Sequence, residues 1–197
     1  YLIAATIDKY VYINIAKTFN KKFILKYAKM EEVNKLNQIK HPIFRETLKR
    51  FDIKTPLNIS SHADIPAGTG MGSSGCFTVT LINAIACLKG KKISNREMAK
   101  IACDIEIETL KEPIGKQDQF TTSYPGINEF FFMKNGSVRV KKLNIKKNVI
   151  KKIKKNLVMY FTGYSRSSYK ILQNQNKASK INDNEMLKNL HSVKELA

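Results

Sequence analysis

Leu2, Ala4 and Thr6 alternate with Ile3, Ala5 and Ile7 at the start of the chain, a period-two pattern that predicts a β-strand. The polar pair Asp8-Lys9 interrupts it, residues 10–16 resume a β-branched and aromatic pattern, and residues 22–27 predict a third strand. Residues 31–52 read as more helical, broken at Pro42, with Ile43, Phe44, Thr47, Leu48 and Phe51 forming an apolar stripe at helical spacing that belongs in a core. A short strand over 57–61 leads into the glycine-rich run IPAGTGMGSSG, and residues 77–88 form an apolar helix closed by Gly90. Ser94 and Glu97 make a capping box for a helix over 95–111, which Glu112-Pro113-Ile114-Gly115 ends. A short helix starts at Lys116, Pro125-Gly126 turns the chain, and residues 127–133 and 137–145 predict a hairpin about Lys134-Asn135-Gly136. Beyond it come a basic surface segment over 146–155, a strand over 157–162 and a polar helix from Arg166 onward.

At 197 residues and 43% hydrophobic, the chain can bury a core, which excludes disorder as its main state. It opens on an apolar run at Tyr1 without a Met and stops at Ala197 within a helical pattern, so a fragment of a longer chain is expected. A net charge of +19 favours anionic partners such as phosphorylated metabolites, nucleotides, nucleic acid or an acidic membrane. Only five of the 35 basic residues are Arg, and Lys with abundant Asn and Ile is what an AT-rich genome encodes, so much of this charge reads as solvated surface. Cys76, Cys87 and Cys103 are odd in number and lack C-x-x-C spacing, which argues against a disulfide framework or a zinc site and for small apolar core residues in a reduced, cytoplasmic chain. No apolar stretch approaches the roughly 20 residues that span a bilayer, and no signal peptide is visible. There is no internal repeat, and a domain boundary is expected near residue 150, separating residues 1–150 from 151–197.

Three elements could carry chemistry. Gly68, Gly70, Gly72 and Gly75, with Ser73 and Ser74 among them, enter the start of an apolar helix, which suits either a phosphate held by backbone N–H groups or a set of tight turns. A P-loop would place Lys after the last glycine, where Cys76 stands; a dinucleotide fingerprint would place glycine where Ser73 stands; a D-F-G kinase signature is missing. On the next helix Glu97, Lys100, Asp104, Glu108 and Lys111 make a solvated face. Glu106 instead shares a stripe with Ala99, Ala102, Cys103 and Leu110, so it is either paired structurally or holds a metal. In PIGKQDQ, Asp118 lies close behind Gly115 and Lys116, as a surface pair or as an oriented base. His41, His62 and His191 are dispersed without ligand spacing, and Tyr124 and residues 130–132 read as core or edge-strand positions.

The order of these elements, a glycine–serine loop at a helix start, a buried-face Glu about 30 residues on and a loop Asp 12 residues later, resembles the GHMP kinases, the superfamily of galactokinase, homoserine kinase, mevalonate kinase and phosphomevalonate kinase. Its second motif, P-x-x-x-G-L-G-S-S-A, stands here as Pro66-Ala67-Gly68-Thr69-Gly70-Met71-Gly72-Ser73-Ser74-Gly75. Within that superfamily ACDIEIETLKEPIGKQDQF, ATIDKYVYI and FTGYSRSS look most like the D-glycero-D-manno-heptose 7-phosphate kinases, a likeness running from about residue 2 to the end.

The resemblance implies an α+β fold: a ribosomal protein S5 domain 2-like N-terminal domain, followed by the start of a ferredoxin-like C-terminal domain. It implies ATP and Mg²⁺, with Pro66, Gly68, Gly70, Met71, Gly72, Ser73 and Ser74 around the ATP phosphates, and Ser74 and Glu106 as Mg²⁺ ligands. Asp118 would be the catalytic base, Lys116 would orient it or touch a phosphate, and Arg166, Ser167 and Ser168 would bind a substrate phosphate. The partners implied are ATP and a phosphorylated sugar, with no nucleic acid or membrane, and the activity is phosphorylation of the anomeric hydroxyl of D-glycero-D-manno-heptose 7-phosphate to the 1,7-bisphosphate. The near alternative is the same chemistry on galactose or fucose, and the far one a basic RNA-binding module of S5-like fold. Met71 stands for the usual Leu, and Gly75, Cys76 and Phe77 for a small-residue run, which questions close helix packing there. The family's first and third motifs fall outside this chain, so the fragment alone is expected to be inactive.

Overall fold

The computed structural model describes residues 1–163, 168–180 and 183–196. Among them the strands are β1 (Leu2–Ala5), β2 (Val11–Lys17), β3 (Phe23–Lys26), β4 (Met30–Val33), β5 (Leu57–Ala63), β6 (Ile127–Phe132) and β7 (Val138–Lys142). The helices are α1 (Pro42–Arg50), α2 (Ser73–Leu88), α3 (Asn95–Cys103), α4 (Gln117–Ser123), α5 (Lys147–Asn156), α6 (Ser168–Lys180) and α7 (Asn184–Leu196). A 3₁₀ turn, Leu36–Gln38, precedes α1, and a π-helical turn, Asp104–Thr109, continues α3. The fold is α+β and divides into two compact units, Asp8–Ser123 and Tyr1–Ile7 with Tyr124–Ala197.

The Asp8–Ser123 unit is built on a four-stranded sheet in the order β2-β5-β3-β4. β2 and β4 run antiparallel to β5 and β3 respectively, while β3 and β5 are parallel. Alternation along β5 buries Leu57 and Ile59 on one face, and Ile59 pairs with Ile15 on one side and Leu25 on the other. The helix α2 is apolar all round, and this is why it sits at the centre. Leu81 and Ile85 join Phe23, Leu25, Leu57, Ile59, Phe44 and Leu48 in one core cluster, while Val79 and Ile82 face Ala102 and Ile105 in another. Each such side chain contributes about 1.5–3 kcal/mol through removal from water, so the position of α2 is held from both sides.

In the other unit β1, β6 and β7 form an antiparallel sheet in the order β1-β6-β7, with Phe130 fully buried and Tyr124 edge-on to it. Arg139 lies over the Phe131 ring at 4.4 Å, a cation–π contact on this sheet.

Several predicted elements hold, and others change. Residues 30–33 are a strand, because Glu31 is drawn inward to accept hydrogen bonds from the Tyr27 hydroxyl (2.7 Å) and the Lys40 and His41 amides (2.6 and 3.0 Å). Pro42 opens α1 at its first turn, where a missing N–H costs nothing. Residues 157–162 form no strand: Leu157, Val158, Tyr160 and Phe161 are 65–82% exposed, and no sheet edge among the described residues pairs with them. The basic segment over 146–155 is regular helix for most of its length, with no buried residue.

The cysteines differ in environment. Burial pushes the Cys103 thiol up to about 12, with Lys116 opposing and Glu106 and Asp104 adding to the shift, and burial raises Cys76 as well. Cys87 is exposed. In native protein at pH 8 a thiol reagent is expected to label Cys87 first and Cys103 only on unfolding, since the thiolate is the reactive form. Mass spectrometry of a labelling time course checks this, and early labelling of Cys103 would contradict it.

Candidate active site

The glycine loop and the start of α2 form one local device. Gly68, Gly70 and Gly72 have φ of 79°, 78° and 68°, the left-handed region in which side-chain-bearing residues are strained. Gly72 is the N-cap of α2, and no side chain caps this helix. Its first N–H groups have no intrahelical acceptor, and 16 aligned residues add the positive end of a dipole, so the geometry is that of an anion cradle. Within the loop, Thr69 Oγ1 donates to Pro66 O at 3.1 Å, while Met71 is half-exposed.

Glu106 reaches this cradle from the π-helical turn. The turn closes with Leu110 N donating to Ile105 O (2.9 Å) and Glu112 N to Glu106 O (3.0 Å), around Lys111 at φ 55°. The Glu106 side chain is 1% exposed, as its place on the Ala99–Ala102–Cys103 stripe predicts. Its oxygens divide between two donors: Ser74 Oγ donates to Oε1 at 2.7 Å, and Gln119 Nε2 to Oε2 at 2.6 Å. The two residues expected to ligate Mg²⁺ therefore touch, although 32 positions separate them. Glu112 lies near enough that its carboxyl is raised, first by desolvation and then by the Glu106 charge.

Asp118 stands at the first turn of α4, with its side chain against the loop. An ideal Cβ at Gly72 would lie 3.1 Å from Asp118 Cγ and 3.4 Å from its Oδ1. At Gly75 it would lie 2.9 Å from Asp118 Cβ and 3.2 Å from both the Asp118 carbonyl carbon and Gln119 N. The expected difficulty in packing around Gly75 is resolved here: the absent Cβ is the space into which α4 fits. Asp118 keeps some exposure, yet desolvation raises its carboxyl above the ordinary Asp value. Lys116 precedes α4, accepts Phe120 N at its carbonyl (3.2 Å), and its charge acts on the Cys103 thiol. Arg166 and Ser167 lie outside the described residues, and of Ser168 only the backbone, opening α6, is described.

Gln119 is the site residue that sequence reasoning passed over. The signal was available, since Gln119, Phe120 and Ser123 share the buried stripe of α4 and a Gln on such a stripe needs a partner.

Two outcomes follow for stability. Gly75→Ala should cost about 1–3 kcal/mol in urea unfolding, because its Cβ meets backbone that cannot swing aside. Gly115→Ala, whose Cβ meets open space, should stay near wild type. Asp118→Asn should be more stable than wild type at neutral pH. A raised carboxyl is a charge the fold disfavours: the penalty is absent below the unfolded-state pKa, builds as pH rises from that value to the higher folded one, and is full above it. The gain should therefore shrink on acidification, and a pH-independent difference would refute this.

The chain is similar to the D-glycero-alpha-D-manno-heptose 7-phosphate kinase of Campylobacter jejuni, with 31% identity over 207 residues, 99% of this chain and 60% of the relative. It is also similar to the galactokinase of Thermotoga maritima, 28% identical over 131 residues, 63% of this chain and 37% of the relative. The chain thus spans less than two thirds of these relatives' length. Among solved structures, a D-glycero-D-manno-heptose 1-phosphate kinase from Bacteroides thetaiotaomicron superposes with a TM-score of 0.69 at 23% identity, over 76% of this chain and 53% of that one; at this identity the likeness speaks for the fold. The mevalonate kinase of Methanococcus jannaschii gives a TM-score of 0.55 at 28% identity, over 71% and 47%. Residues 36–126, which hold the glycine loop, Glu106 and Asp118, match the family described as GHMP kinases N terminal domain, and this part of the chain belongs to it.

Proposed function

We propose that the protein is an ATP-dependent sugar kinase that phosphorylates the anomeric hydroxyl of D-glycero-D-manno-heptose 7-phosphate, giving the 1,7-bisphosphate for nucleotide-activated heptose synthesis in the cytoplasm. The observation that carries the kinase reading is the meeting of Ser74, Glu106 and Asp118 at the uncapped N-terminus of α2. The heptose reading rests on the similarity to the Campylobacter relative. No helix among the described residues is long and apolar enough to cross a membrane. In this reading residues 1–150 are the ATP-binding domain and residues 151–197 begin the second.

The donor set fits Mg²⁺. Ser74 Oγ and Glu106 Oε1 are hard oxygens, and Mg²⁺ in such sites takes its remaining ligands from phosphates and water. When bound, Mg²⁺ would neutralise charge on the β- and γ-phosphate oxygens. The chain's own contribution is positional and electrostatic. Backbone N–H groups from Gly68 to Ser74 hold the phosphates. Asp118 accepts the proton of the anomeric hydroxyl as the new O–P bond forms and the bond to the β-phosphate oxygen breaks, releasing ADP. Its raised carboxyl makes it a better proton acceptor than an ordinary Asp. Lys116 steadies Asp118 or a phosphate, and Arg166, Ser167 and Ser168 take the 7-phosphate, roles that rest on the sequence alone.

The test is ADP release by the full natural chain offered heptose 7-phosphate, unphosphorylated heptose, galactose and fucose. Turnover confined to the 7-phosphate is expected, falling about 10²–10⁴-fold in Asp118→Asn. Turnover on galactose instead would keep the phosphotransfer and discard the heptose. A folded chain with no turnover on any sugar would overturn the kinase reading.

A further inference from the structure

Gln119 is fully buried, yet only half of its amide is used. Nε2 donates to Glu106 Oε2 at 2.6 Å, while Oε1 has no hydrogen-bond partner among the described residues. The opposite amide orientation would set Oε1 against a carboxylate oxygen, so the contact to Glu106 dictates which atom is left over. An unpartnered buried amide oxygen costs free energy that an apolar side chain of like size would not. The residue is therefore explained by what Nε2 does.

That contact separates the two oxygens of Glu106. Oε2 is tied to α4, and Oε1 is left facing the Ser74 hydroxyl at the start of α2. Gln119 also adjoins Asp118, whose backbone and Cβ are seated against Gly75. One short helix thus places both the base and the clamp on the carboxylate.

We propose that Gln119 is a positioning residue for the divalent cation: it holds Glu106 by Oε2 so that Oε1, beside Ser74 Oγ, is the oxygen offered to the metal. This rests on the reading of Ser74 and Glu106 as metal ligands. Carboxylates that bind metals are themselves held by hydrogen bonds, and loss of such a bond commonly weakens metal affinity by about 10–100-fold.

The test uses the full natural chain with Mn²⁺ as probe, bound in the presence of ADP and followed by electron paramagnetic resonance, beside thermal unfolding and the free Mg²⁺ needed for half-maximal turnover. Gln119→Leu, with Gln119→Met as a second apolar variant should the first not fold, is expected to bind Mn²⁺ about 10-fold or more weakly. Its thermal midpoint should fall, because Glu106 Oε2 loses its donor, while turnover should be largely regained at high Mg²⁺. Wild-type Mn²⁺ affinity in the folded apolar variant, whatever its midpoint, would overturn the proposal and reduce Gln119 to a packing residue. Glu106→Gln separates the two levels: Mn²⁺ binding unchanged there would remove the metal reading itself. Binding lost in Glu106→Gln but kept in Gln119→Leu would remove only the role of Gln119.

Discussion

A carboxylate buried to 1% exposure has to be answered by donors, and the site is organised around the answer to Glu106. Left unpaired it would cost several kcal/mol. It is met from two directions, by a hydroxyl at the start of α2 and by an amide on α4, at 2.7 and 2.6 Å. Those bonds tie three stretches of chain, around residues 74, 106 and 119, into one arrangement. Displacing any of them would expose or orphan the charge.

That arrangement needs a rigid support, and α2 is it. Its two apolar faces are engaged at once, by the sheet cluster through Leu81 and Ile85 and by the α3 side through Val79 and Ile82. A helix gripped on both faces cannot slide or roll without opening a cavity in one cluster. Its N-terminus, with the loop glycines in left-handed conformation, is correspondingly fixed. The absent side chains at Gly72 and Gly75 then allow α4 to come within ordinary contact of the loop and bring Asp118 to it. The desolvation that raises the Asp118 carboxyl comes from the same close approach. The approach that seats α4 against the loop therefore disfavours the ionised form of this carboxyl.

Much of this was legible in the residues. The glycine–serine run marked the loop, the stripe of Ala99, Ala102 and Cys103 showed that Glu106 points inward, and β5, α2 and the β6–β7 hairpin lie where hydrophobic periodicity and turn residues put them. Residues 30–33 and 157–162 were misread for opposite reasons. The first has a helix-forming composition but is held as strand by the partners of Glu31. The second has strand-like composition but no sheet edge to join among the described residues.

Sequence by itself determined the chemical inventory and its spacing: a glycine–serine loop, an inward carboxylate and an Asp behind a glycine and a lysine. Those are local properties, set by backbone freedom, helical period and side-chain type. Only the tertiary structure decided that Ser74 and Gln119 are the partners of Glu106, and that Gly75 is the space for Asp118. Contacts between residues 32 and 13 positions apart depend on how helices pack, and packing is decided by the whole core at once.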